Sequence, residues 1–466
     1  MNVARERSVH TERRMRLARS IADAGGGVAV VPTAPERQRN SDSDHPYRHD
    51  SHFHYLTGFD EPQAWLLLGA NGHSTLLCRE RHPEREIWDG RRLGPEAAPA
   101  VLGVDVAFDV EQLDRTAIER LANQPAVWFP FGVHPDLQAQ VDRWLATLRS
   151  RERSGVGCPQ TQRDLGPLLA EMRLLKDSTE ISLMRRAAQI SAGAHARAMR
   201  YCAGRFRADP QAAVREYEIE AELLHEFRRH GAQGPAYTSI VAAGANACVL
   251  HYAAGSTELH GGELCLIDAG CELDGYASDV TRTFPAHGRF SPAQRELYAI
   301  VQAAQEAAIS ATRPGARRLD AHDAAVRVLA QGMLDTGLLD RNVVGDVDAV
   351  IHSAAYRRFY MHGTGHWLGR DVHDVGDYLS ADEAPLDQPD GLGGRVVKKP
   401  SRVLQPGMVV TIEPGLYVRP AADVPERFRD LGIRIEDDAV ITATGCELIS
   451  RGVPTDASEI ERLMQA

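Results

Sequence analysis

The sequence predicts two domains, an α/β domain over residues 1–165 and a larger α+β domain over residues 166–466. The chain has 466 residues, a length that usually divides into more than one domain. Short apolar runs alternate with helical stretches in the first part, as in α/β proteins. Beyond it, pairs of long helical stretches are each followed by a pair of short strands, an order that suggests an internal duplication.

The first domain is predicted to contain strands, helices and a hairpin. The strands are the apolar runs Val28–Val31, Trp65–Leu68, Thr75–Leu77 and Ala126–Phe131. Asn71-Gly72, a dipeptide typical of hairpin turns, lies between the second run and the third. Helical periodicity is present over Leu113–Ala122 and Leu137–Leu148. The polar segment Ser150–Asp164 is predicted to be the linker to the second domain.

The second domain is predicted to begin with long helices. Asp177 and Glu180 are spaced as a capping box, and the periodic stretch after them predicts a long helix. Further helices are predicted near residues 214–230, 292–312 and 319–336, and strands at 264–270, 276–284, 408–413 and 432–441. The segment Asp377–Arg402 is rich in Gly, Pro and Asp, which predicts an irregular surface insertion.

The charge and cysteine content exclude several classes of protein. The formal net charge is −11, whereas general binding to nucleic acid or a membrane surface needs a basic face. No apolar segment follows the basic N-terminal stretch, so no secretory signal is predicted, and Glu6 and Glu12 favour a solvated helix over a transit peptide. No apolar run reaches the roughly 20 residues that span a bilayer. Seven cysteines without a C-x-x-C pair indicate reduced thiols, so we expect a cytoplasmic protein.

Two aspartates lie on the strands predicted within residues 264–284, LCLIDAGCELDGYASDVTRTF. Asp274-Gly275 is a favoured two-residue turn, and pairing around it places Gly270 opposite Asp279. Asp268 then lies diagonally from Asp279 on the same face, roughly 7–8 Å away at the backbone. A buried carboxylate of this kind needs a cation, because leaving it unpaired costs free energy.

For this pair alone, a structural interpretation is also open. Asp268 would cap a turn, and Asp279 would form an ion pair with the nearby Arg282. Two glutamates favour a functional interpretation, because Glu413 in MVVTIEPGLY and Glu436 in GIRIEDDAV each follow an apolar, β-branched run. Each glutamate alone fits an edge strand or an ordinary ion pair, but four acids in strand contexts are harder to explain in that way.

Three histidines in one short segment offer an imidazole for the same site. His362, His366 and His373 lie in MHGTGHWLGRDVHD, where the glycines argue against the helical H-E-x-x-H zinc arrangement. Four carboxylates with one imidazole suit two hard or borderline divalent ions, such as Mn²⁺, Co²⁺ or Zn²⁺. Four carboxylates also balance the charge of two such ions, and without metal they would repel one another and take up protons.

These segments resemble the metal-binding motifs of the pita-bread peptidases, a family that includes aminopeptidase P, prolidase and methionine aminopeptidase. The matching segments are LIDAG…SDVTRTF, HGTGHWLGRDVHDVG, TIEPGLY and GIRIEDD, in the order found in the family. The resemblance implies a pita-bread (creatinase/aminopeptidase) catalytic domain and two divalent ions per chain, with manganese expected ahead of cobalt or zinc. The implied ligands are Asp268, Asp279, His366, Glu413 and Glu436, of which Asp279 and Glu436 would bridge both ions.

Other residues resemble the family's substrate site. His251, in VLHYAAG, and His373 match the histidines beside the substrate and its scissile carbonyl. Glu413 would also carry a proton to the leaving nitrogen. His362 and Arg434 match the residues at the proline side of the pocket, and the two-residue period of a strand puts Arg434 on the same face as Glu436.

The first domain carries part of the resemblance. DSHFHYLTGFDEP and EIWDGRRLG resemble the N-terminal domain of aminopeptidase P and eukaryotic-type prolidase, which methionine aminopeptidase lacks. In aminopeptidase P a tryptophan of this stretch reaches the pocket of a neighbouring subunit, so Trp88 is a candidate substrate-binding residue, with a core position as the alternative. The resemblance also implies a homo-oligomer, either a dimer or a tetramer.

The implied activity is hydrolysis of the bond between an N-terminal residue and a following proline, by a hydroxide held between the two ions. The expected partners are peptides with proline at position 2, and neither nucleic acid nor a membrane. Prolidase, which takes only Xaa-Pro dipeptides, is the nearest alternative. A catalytically silent binding protein on the same scaffold is disfavoured, because no ligand residue is missing from the sequence.

Overall fold

The computed structural model describes residues 3–390 and 392–466. The chain divides into two compact units between Met172 and Arg173. The domain boundary predicted after residue 165 lies slightly earlier, at the start of the helix Gly166–Leu174. No helix among the described residues is both long enough and apolar enough to cross a membrane.

The first unit is built on one six-stranded sheet. In spatial order the strands are Val106–Asp109, Ser74–Cys78, Trp65–Gly69, Val28–Pro32, Ala126–Phe129 and Thr161–Asp164. The helices of this unit are Val3–Asp23, Ser51–Thr57, Pro83–Asp89, Gly94–Leu102, Leu113–Leu121 and Leu137–Ser150. A short ribbon pairs Gln38–Asn40 with Ser43–Asp44. All strands and helices predicted for this domain are present.

The central strand Val28–Pro32 shows why the sheet forms. It pairs antiparallel with Trp65–Gly69 and parallel with Ala126–Phe129. Ala29 and Val31 are buried in the core on one face, whereas Val28 and Val30 are buried in a second core. A strand that is apolar at every position is typical of a sheet covered on both faces, and the predicted α/β architecture is confirmed.

The N-terminal helix Val3–Asp23 packs more closely than the sequence suggested. Leu17 and Ile21, one helical turn apart, are buried in the same core as Val31. The helix was predicted to be solvated because arginines dominate its composition. Its apolar side chains nevertheless form one stripe, which is enough to bury one face.

The prediction that Ser150–Asp164 is a linker is wrong in part. Its last four residues, Thr161–Asp164, form the sixth strand of the sheet, parallel to Ala126–Phe129. Their side chains are largely exposed because the strand lies at the edge of the sheet. Strand pairing uses backbone groups, so a polar edge strand leaves no hydrophobic pattern in the sequence.

The second unit has the predicted order of helices and strand pairs. Its helices are Ser178–Ala208, Glu216–Arg229, Pro292–Ala311, Arg318–Asp335, Arg341–Val344, Val347–His352 and Ala457–Gln465. The strands nearest the site are Ile240–Ala243, Leu264–Asp268, Cys271–Leu273, Tyr276–Ala277, Thr281–Pro285, Val409–Ile412, Gly415–Val418, Leu431–Arg434, Asp437–Ile441 and Cys446–Leu448. They form small antiparallel sheets, so the α+β prediction is confirmed. The internal duplication stays a prediction.

The helix Ser178–Ala208 begins at the predicted capping box. The carboxylate of Asp177 accepts hydrogen bonds from the backbone N–H groups of Thr179 and Glu180. In return, the Glu180 carboxylate accepts a hydrogen bond from the Asp177 N–H. The first backbone N–H groups of a helix have no partner within the helix. These hydrogen bonds provide partners for them and thereby fix where the helix begins.

The hairpin around Asp274-Gly275 has the predicted register. Both turn residues have positive φ, 51° and 74°, as a type I′ turn requires. Asp268 pairs with Thr281, so Asp279 lies diagonally from it, as predicted. At the intervening Gly270, a Cβ would lie 1.7 Å from the carbonyl oxygen of Ser278. Only glycine allows the two backbones to approach this closely.

The segment Asp377–Arg402 is more regular than predicted. It contains an antiparallel hairpin, Leu386–Pro389 with Arg395–Lys398. Most side chains of this hairpin are exposed, in agreement with a surface insertion. Gly391, within the segment, lies outside the described residues.

We expect Gly270→Ala to lower the free energy of unfolding by about 1–3 kcal/mol or more, because the added methyl group overlaps a backbone carbonyl. Gly262→Ala is the matched control, since its Cβ would meet nothing within 4 Å. Thermal unfolding of both variants against the parent protein measures the effect. Equal stability of the two variants would contradict the close approach at Gly270.

Candidate metal centre and active site

Four predicted acids converge in the second unit, and three of them lie at an end of a strand. Asp268 is the last residue of Leu264–Asp268, and Glu413 directly follows Val409–Ile412. Glu436 directly precedes Asp437–Ile441, and its N–H donates a 3.0 Å hydrogen bond to the carbonyl of Thr281. Strand pairing therefore brings acids that are far apart in sequence to one place.

Three of the predicted ligands are close enough to share one metal ion. Asp279, His366 and Glu436 offer ligand atoms within 4.8 Å of one another, and no second group of this kind occurs in residues 3–390 and 392–466. His366 Nε2 lies 3.4 Å from an Asp279 oxygen and 3.9 Å from a Glu413 oxygen. Asp268 joins them through Tyr237, whose hydroxyl oxygen lies 2.6 Å from an Asp268 oxygen and 2.5 Å from an Asp279 oxygen.

The structural interpretation of the two aspartates is wrong. Arg282 does not pair with Asp279 but lies fully buried against Asp437, at 2.8 Å. Asp268 caps no turn, because its carboxylate accepts hydrogen bonds from Tyr237 and from the Arg434 guanidinium, the latter at 2.7 Å. Both aspartates therefore face the other acids.

Burial and mutual repulsion disfavour the ionised form of three of the acids. Burial, followed by Asp279 and Glu413, raises the pKa of Glu436 well above its ordinary range. Burial is also the largest cause that raises the pKa of Glu413, to about 7, and that raises the pKa of Asp268. Arg434 opposes these shifts but brings only one positive charge. Such a group of acids is stabilised by further positive charge.

In Asp279 and His366, by contrast, the pKa shifts favour the charged form. Burial disfavours the charged form of each, but their contact outweighs it, so the pKa of Asp279 is lowered and that of His366 is raised to about 9. A histidine must be neutral to bind a metal, so an ion at this place would displace the proton that His366 carries. Carboxylate oxygens with one imidazole fit divalent cations such as Mn²⁺, Co²⁺ or Zn²⁺.

A cavity of about 760 Å³ brings the predicted substrate residues to the same place. Every predicted site residue of the second unit lines it: His251, Asp268, Asp279, His362, His366, His373, Glu413, Arg434 and Glu436. The ring of His373 contacts that of His366 edge to face, with centroids 4.2 Å apart. The cavity therefore combines the acidic centre with exposed imidazoles at its mouth.

Sequence reasoning missed two tyrosines of the site. Tyr237 bridges two predicted ligands, and Tyr417 lies 2.8 Å from His362 Nε2 while accepting a hydrogen bond from Arg434, also at 2.8 Å. Tyr417 lies in the TIEPGLY segment, four residues after Glu413, which was a usable signal. Tyr237 lies in a segment without any of the matching motifs, so no sequence pattern indicates its role.

Trp88 is the one predicted site residue in the first unit. It lies on the helix Pro83–Asp89, and 84% of its surface is exposed. A core position, the alternative considered for it, is therefore wrong. Its role in substrate binding stays a prediction.

A buried ion network holds the loop that carries His373. The next residue, Asp374, accepts from Arg173 at 2.6 Å and from Lys176 at 2.9 Å. All three charged side chains are almost fully buried. Burial opposes ionisation of Asp374, but Lys176 and Arg173 outweigh it and lower its pKa.

Comparison with known proteins identifies the family. The family model described as metallopeptidase family M24 matches residues 182–443, more than half of the chain. The chain belongs to metallopeptidase family M24. A second model, the aminopeptidase P N-terminal domain, matches residues 10–128. The M24 domain and this N-terminal domain agree with the two predicted domains.

Relatives of this M24 peptidase resemble it over nearly its whole length. It is 43% identical over 445 residues to the Xaa-Pro aminopeptidase of Escherichia coli K12, covering 95% of this chain and 94% of that one. The Xaa-Pro aminopeptidase of Haemophilus influenzae is 43% identical over 433 residues, 92% of this chain and 91% of that one. The chain is therefore a metallopeptidase similar to Xaa-Pro aminopeptidases.

Solved structures confirm the predicted pita-bread fold. Aminopeptidase PepP of Pseudomonas aeruginosa matches with a TM-score of 0.89 and 43% identity, over 98% of each chain. A variant of E. coli aminopeptidase P in complex with substrate matches with a TM-score of 0.89 and 42% identity, over 99% of this chain and 98% of that one. Zinc-substituted E. coli aminopeptidase P in complex with product gives the same TM-score and identity, over 98% of each chain.

We expect Asp374→Asn to lower the free energy of unfolding by about 3–5 kcal/mol, because it leaves the buried Lys176 without its counter-charge and removes one of the two carboxylates that pair with Arg173. A carboxylate whose pKa is lowered by folding stabilises the protein above its ordinary pKa of about 4, and this contribution is lost as the pH falls below that value. Thermal unfolding from pH 7 to pH 3 measures both effects. The difference between parent and Asp374→Asn should therefore shrink in acid.

Asp377→Asn is the control for this experiment, because Asp377 is exposed and lies three residues further along the same loop. It should leave stability unchanged at every pH. A loss in Asp377→Asn equal to that in Asp374→Asn would contradict the role assigned to the buried network.

Proposed function

We propose that this metallopeptidase is a Xaa-Pro aminopeptidase that holds two divalent ions, manganese in the first place, and releases the N-terminal residue from peptides with proline at position 2. The observation that carries the proposal is the convergence of four carboxylates and one imidazole in a single cavity with two further histidines and an arginine. The proposed specificity is supported by relatives named Xaa-Pro aminopeptidase, which are similar over nearly the whole chain.

Asp279 and Glu436 are the proposed bridging ligands. Asp279 lies between the other groups, because Tyr237 joins it to Asp268 on one side and His366 lies 3.4 Å away on the other. One ion would then be held on the Asp268 side and the second by His366 and Glu413. This division uses every acid of the centre.

Two divalent ions bound in this way would supply a hydroxide nucleophile near neutral pH and polarise the scissile carbonyl. The residues around them orient the peptide and handle its protons. Glu413 is the proposed proton carrier to the leaving nitrogen. That nitrogen belongs to proline and leaves as a secondary amine, so it must be protonated as the bond breaks.

His251 and His373 are proposed to donate hydrogen bonds to the oxygen that becomes negative during the reaction. Burial and the neighbouring His366 lower the pKa of His373, so its ring is neutral at pH 7 and donates through a single N–H. A donor placed for the developing charge is worth about 3 kcal/mol of barrier lowering. Both histidines lie at the cavity wall, within reach of a bound peptide.

His362 and Arg434 are proposed to form the proline side of the pocket, with Tyr417 between them. Burial, followed by Arg434, lowers the pKa of His362 to about 3, so its ring is neutral. The fixed ring of proline suits a pocket of rigid shape. The Tyr417 hydroxyl accepts a hydrogen bond from Arg434 and shares another with His362, and these two bonds hold that shape.

Assembly and location complete the proposal. We propose a homo-oligomer, dimer or tetramer, in the cytoplasm, without a nucleic-acid or membrane partner. Trp88 would then reach the pocket of a neighbouring subunit, and its high exposure within one chain supports such a contact. Prolidase remains the second candidate, because that enzyme shares the N-terminal domain and the ligand set.

A peptide panel separates the two candidates. With Mn²⁺ added, we expect turnover of Xaa-Pro-Pro tripeptides and longer Xaa-Pro peptides, because the cavity of about 760 Å³ is larger than a dipeptide needs. Xaa-Ala-Pro peptides are the control and should not be cleaved. Cleavage restricted to Xaa-Pro dipeptides would identify a prolidase instead.

We expect Asp279→Ala and Glu436→Ala to abolish both activity and metal loading, because each removes a ligand shared by two ions. Metal analysis of the purified parent should find about two divalent ions per chain, and a chelator should abolish activity until Mn²⁺ is restored. Asp382→Ala, at an exposed acid of the insertion, is the control and should leave both unchanged. Full turnover in either ligand variant would refute the assignment.

A further inference from the structure

A hydrogen-bonded chain outside the metal centre holds the loop that carries His362 and His366. The hydroxyl of Thr364 lies 2.8 Å from His322 Nδ1 and 2.7 Å from the hydroxyl of Tyr360. His322 belongs to the helix Arg318–Asp335, which contributes no predicted ligand. A side chain from a separate helix therefore fixes one point in the middle of the loop.

Thr364 connects this chain to the strand that ends at Glu413. Its carbonyl accepts a 2.9 Å hydrogen bond from the Glu413 N–H. Two residues further on, the His366 N–H donates to the Thr411 hydroxyl at 3.1 Å, and the Thr411 N–H donates to the His366 carbonyl at 3.0 Å. A displacement of Thr364 would therefore move both His366 and Glu413.

The loop has close backbone contact on one side and incomplete packing on the other. A Cβ on Gly365 would lie 1.9 Å from the Thr411 carbonyl oxygen, so the loop lies directly on that strand. On the side of His322 there is a small cavity of about 20 Å³, lined also by Arg318 and Thr364. That volume is room for about one water molecule. Packing on this side is therefore incomplete, and hydrogen bonds restrain the loop there: His322 and Tyr360 each share one with the Thr364 hydroxyl, and Arg318 donates one to the Gly365 carbonyl at 3.2 Å.

His322 provides this restraint without adding charge near the metal centre. Burial, with the neighbouring Arg318 and Arg357, lowers its pKa to about 4. Its ring is therefore neutral at pH 7 and keeps one N–H and one lone pair for hydrogen bonding. A positively charged side chain in this place would repel cations bound nearby.

We propose that His322 is a positioning residue of the metal centre, which acts through the Thr364 hydroxyl to set the places of His366 and Glu413. The inference rests on the proposed function, since it assumes that these two side chains hold a metal ion. His322 contacts Thr364 and the ring of Tyr360 rather than either ligand, so its effect on the metal is indirect, and the hydrogen bond to Thr364 is its polar link to the loop.

Two substitutions separate this hydrogen bond from the space that the ring fills. His322→Leu has similar bulk and no polar group, whereas His322→Asn places an amide near the position of Nδ1. We expect His322→Leu to weaken Mn²⁺ binding and to lower kcat at saturating Mn²⁺ by about 10-fold each, the low end for residues that support metal ligands. KM should change little, and His322→Asn should recover most of the loss.

Thr364→Val tests the other end of the bond, because valine keeps the shape of threonine without its hydroxyl. It should show at least the losses of His322→Leu, because it also removes the contact with Tyr360, and the double variant should lose no more than Thr364→Val alone. Calorimetric titration with Mn²⁺ and the electron paramagnetic resonance spectrum of bound Mn²⁺ give readouts independent of turnover. The spectrum should change in the Leu and Val variants and resemble the parent in the Asn variant.

Parent-like metal binding and kcat in His322→Leu would overturn the inference. Equal losses in His322→Leu and His322→Asn would also overturn it, because they would indicate a packing role. If His322→Leu does not fold, Thr364→Val against His322→Asn decides the same question. Failure of the proposed function would be recognised separately, because the parent protein itself would then bind no Mn²⁺ or cleave no Xaa-Pro peptide.

Discussion

Electrostatic repulsion among four carboxylates in one largely buried site is the constraint around which the second unit is arranged. Asp279 and Glu436 are almost fully buried, and the ends of several strands direct the other two acids toward them. In a medium of low polarity, such charges are costly unless opposite charge lies within a few ångströms. Arg434 and His366 supply part of it, and the remainder is what divalent ions would provide.

The same constraint explains the hydrogen-bonded layer behind the ligands. Asp438 accepts the backbone N–H of Asp279, at 3.2 Å, and burial followed by Asp279 raises its pKa well above the ordinary range. The neutral form of Asp438, which these causes favour, holds the Asp279 backbone without adding negative charge. Next to it, Asp437 forms a 2.8 Å ion pair with the fully buried Arg282.

The parts of the site that depend on local rules could be predicted from the sequence. The turn at Asp274-Gly275 fixes the register of its hairpin, and the two-residue period of a strand then places Asp268 and Asp279 on one face. The parts that depend on tertiary approach could not. Tyr237 reaches both aspartates from a segment without a motif, and His322 reaches Thr364 from a helix 42 residues earlier.

The first unit shows the same division between local and tertiary information. Its central strand is apolar at every position, a pattern that predicts a strand. The edge strand Thr161–Asp164 is polar, and a polar segment predicts a linker. The exposure of Trp88 was equally beyond prediction, because an exposed tryptophan and a core tryptophan have the same sequence signature. Burial is a property of the completed fold, so composition alone does not assign it.

The proposed ligands are dispersed along the chain, from Asp268 through His366 to Glu436. A chain with only the first hairpin formed would contain two of them, so the full ligand set would be complete only after the last strand had docked. Metal uptake would then report complete folding of this unit. A bound ion would in turn raise stability in proportion to the logarithm of its concentration over its dissociation constant, so metal supply would govern how long the folded enzyme persists.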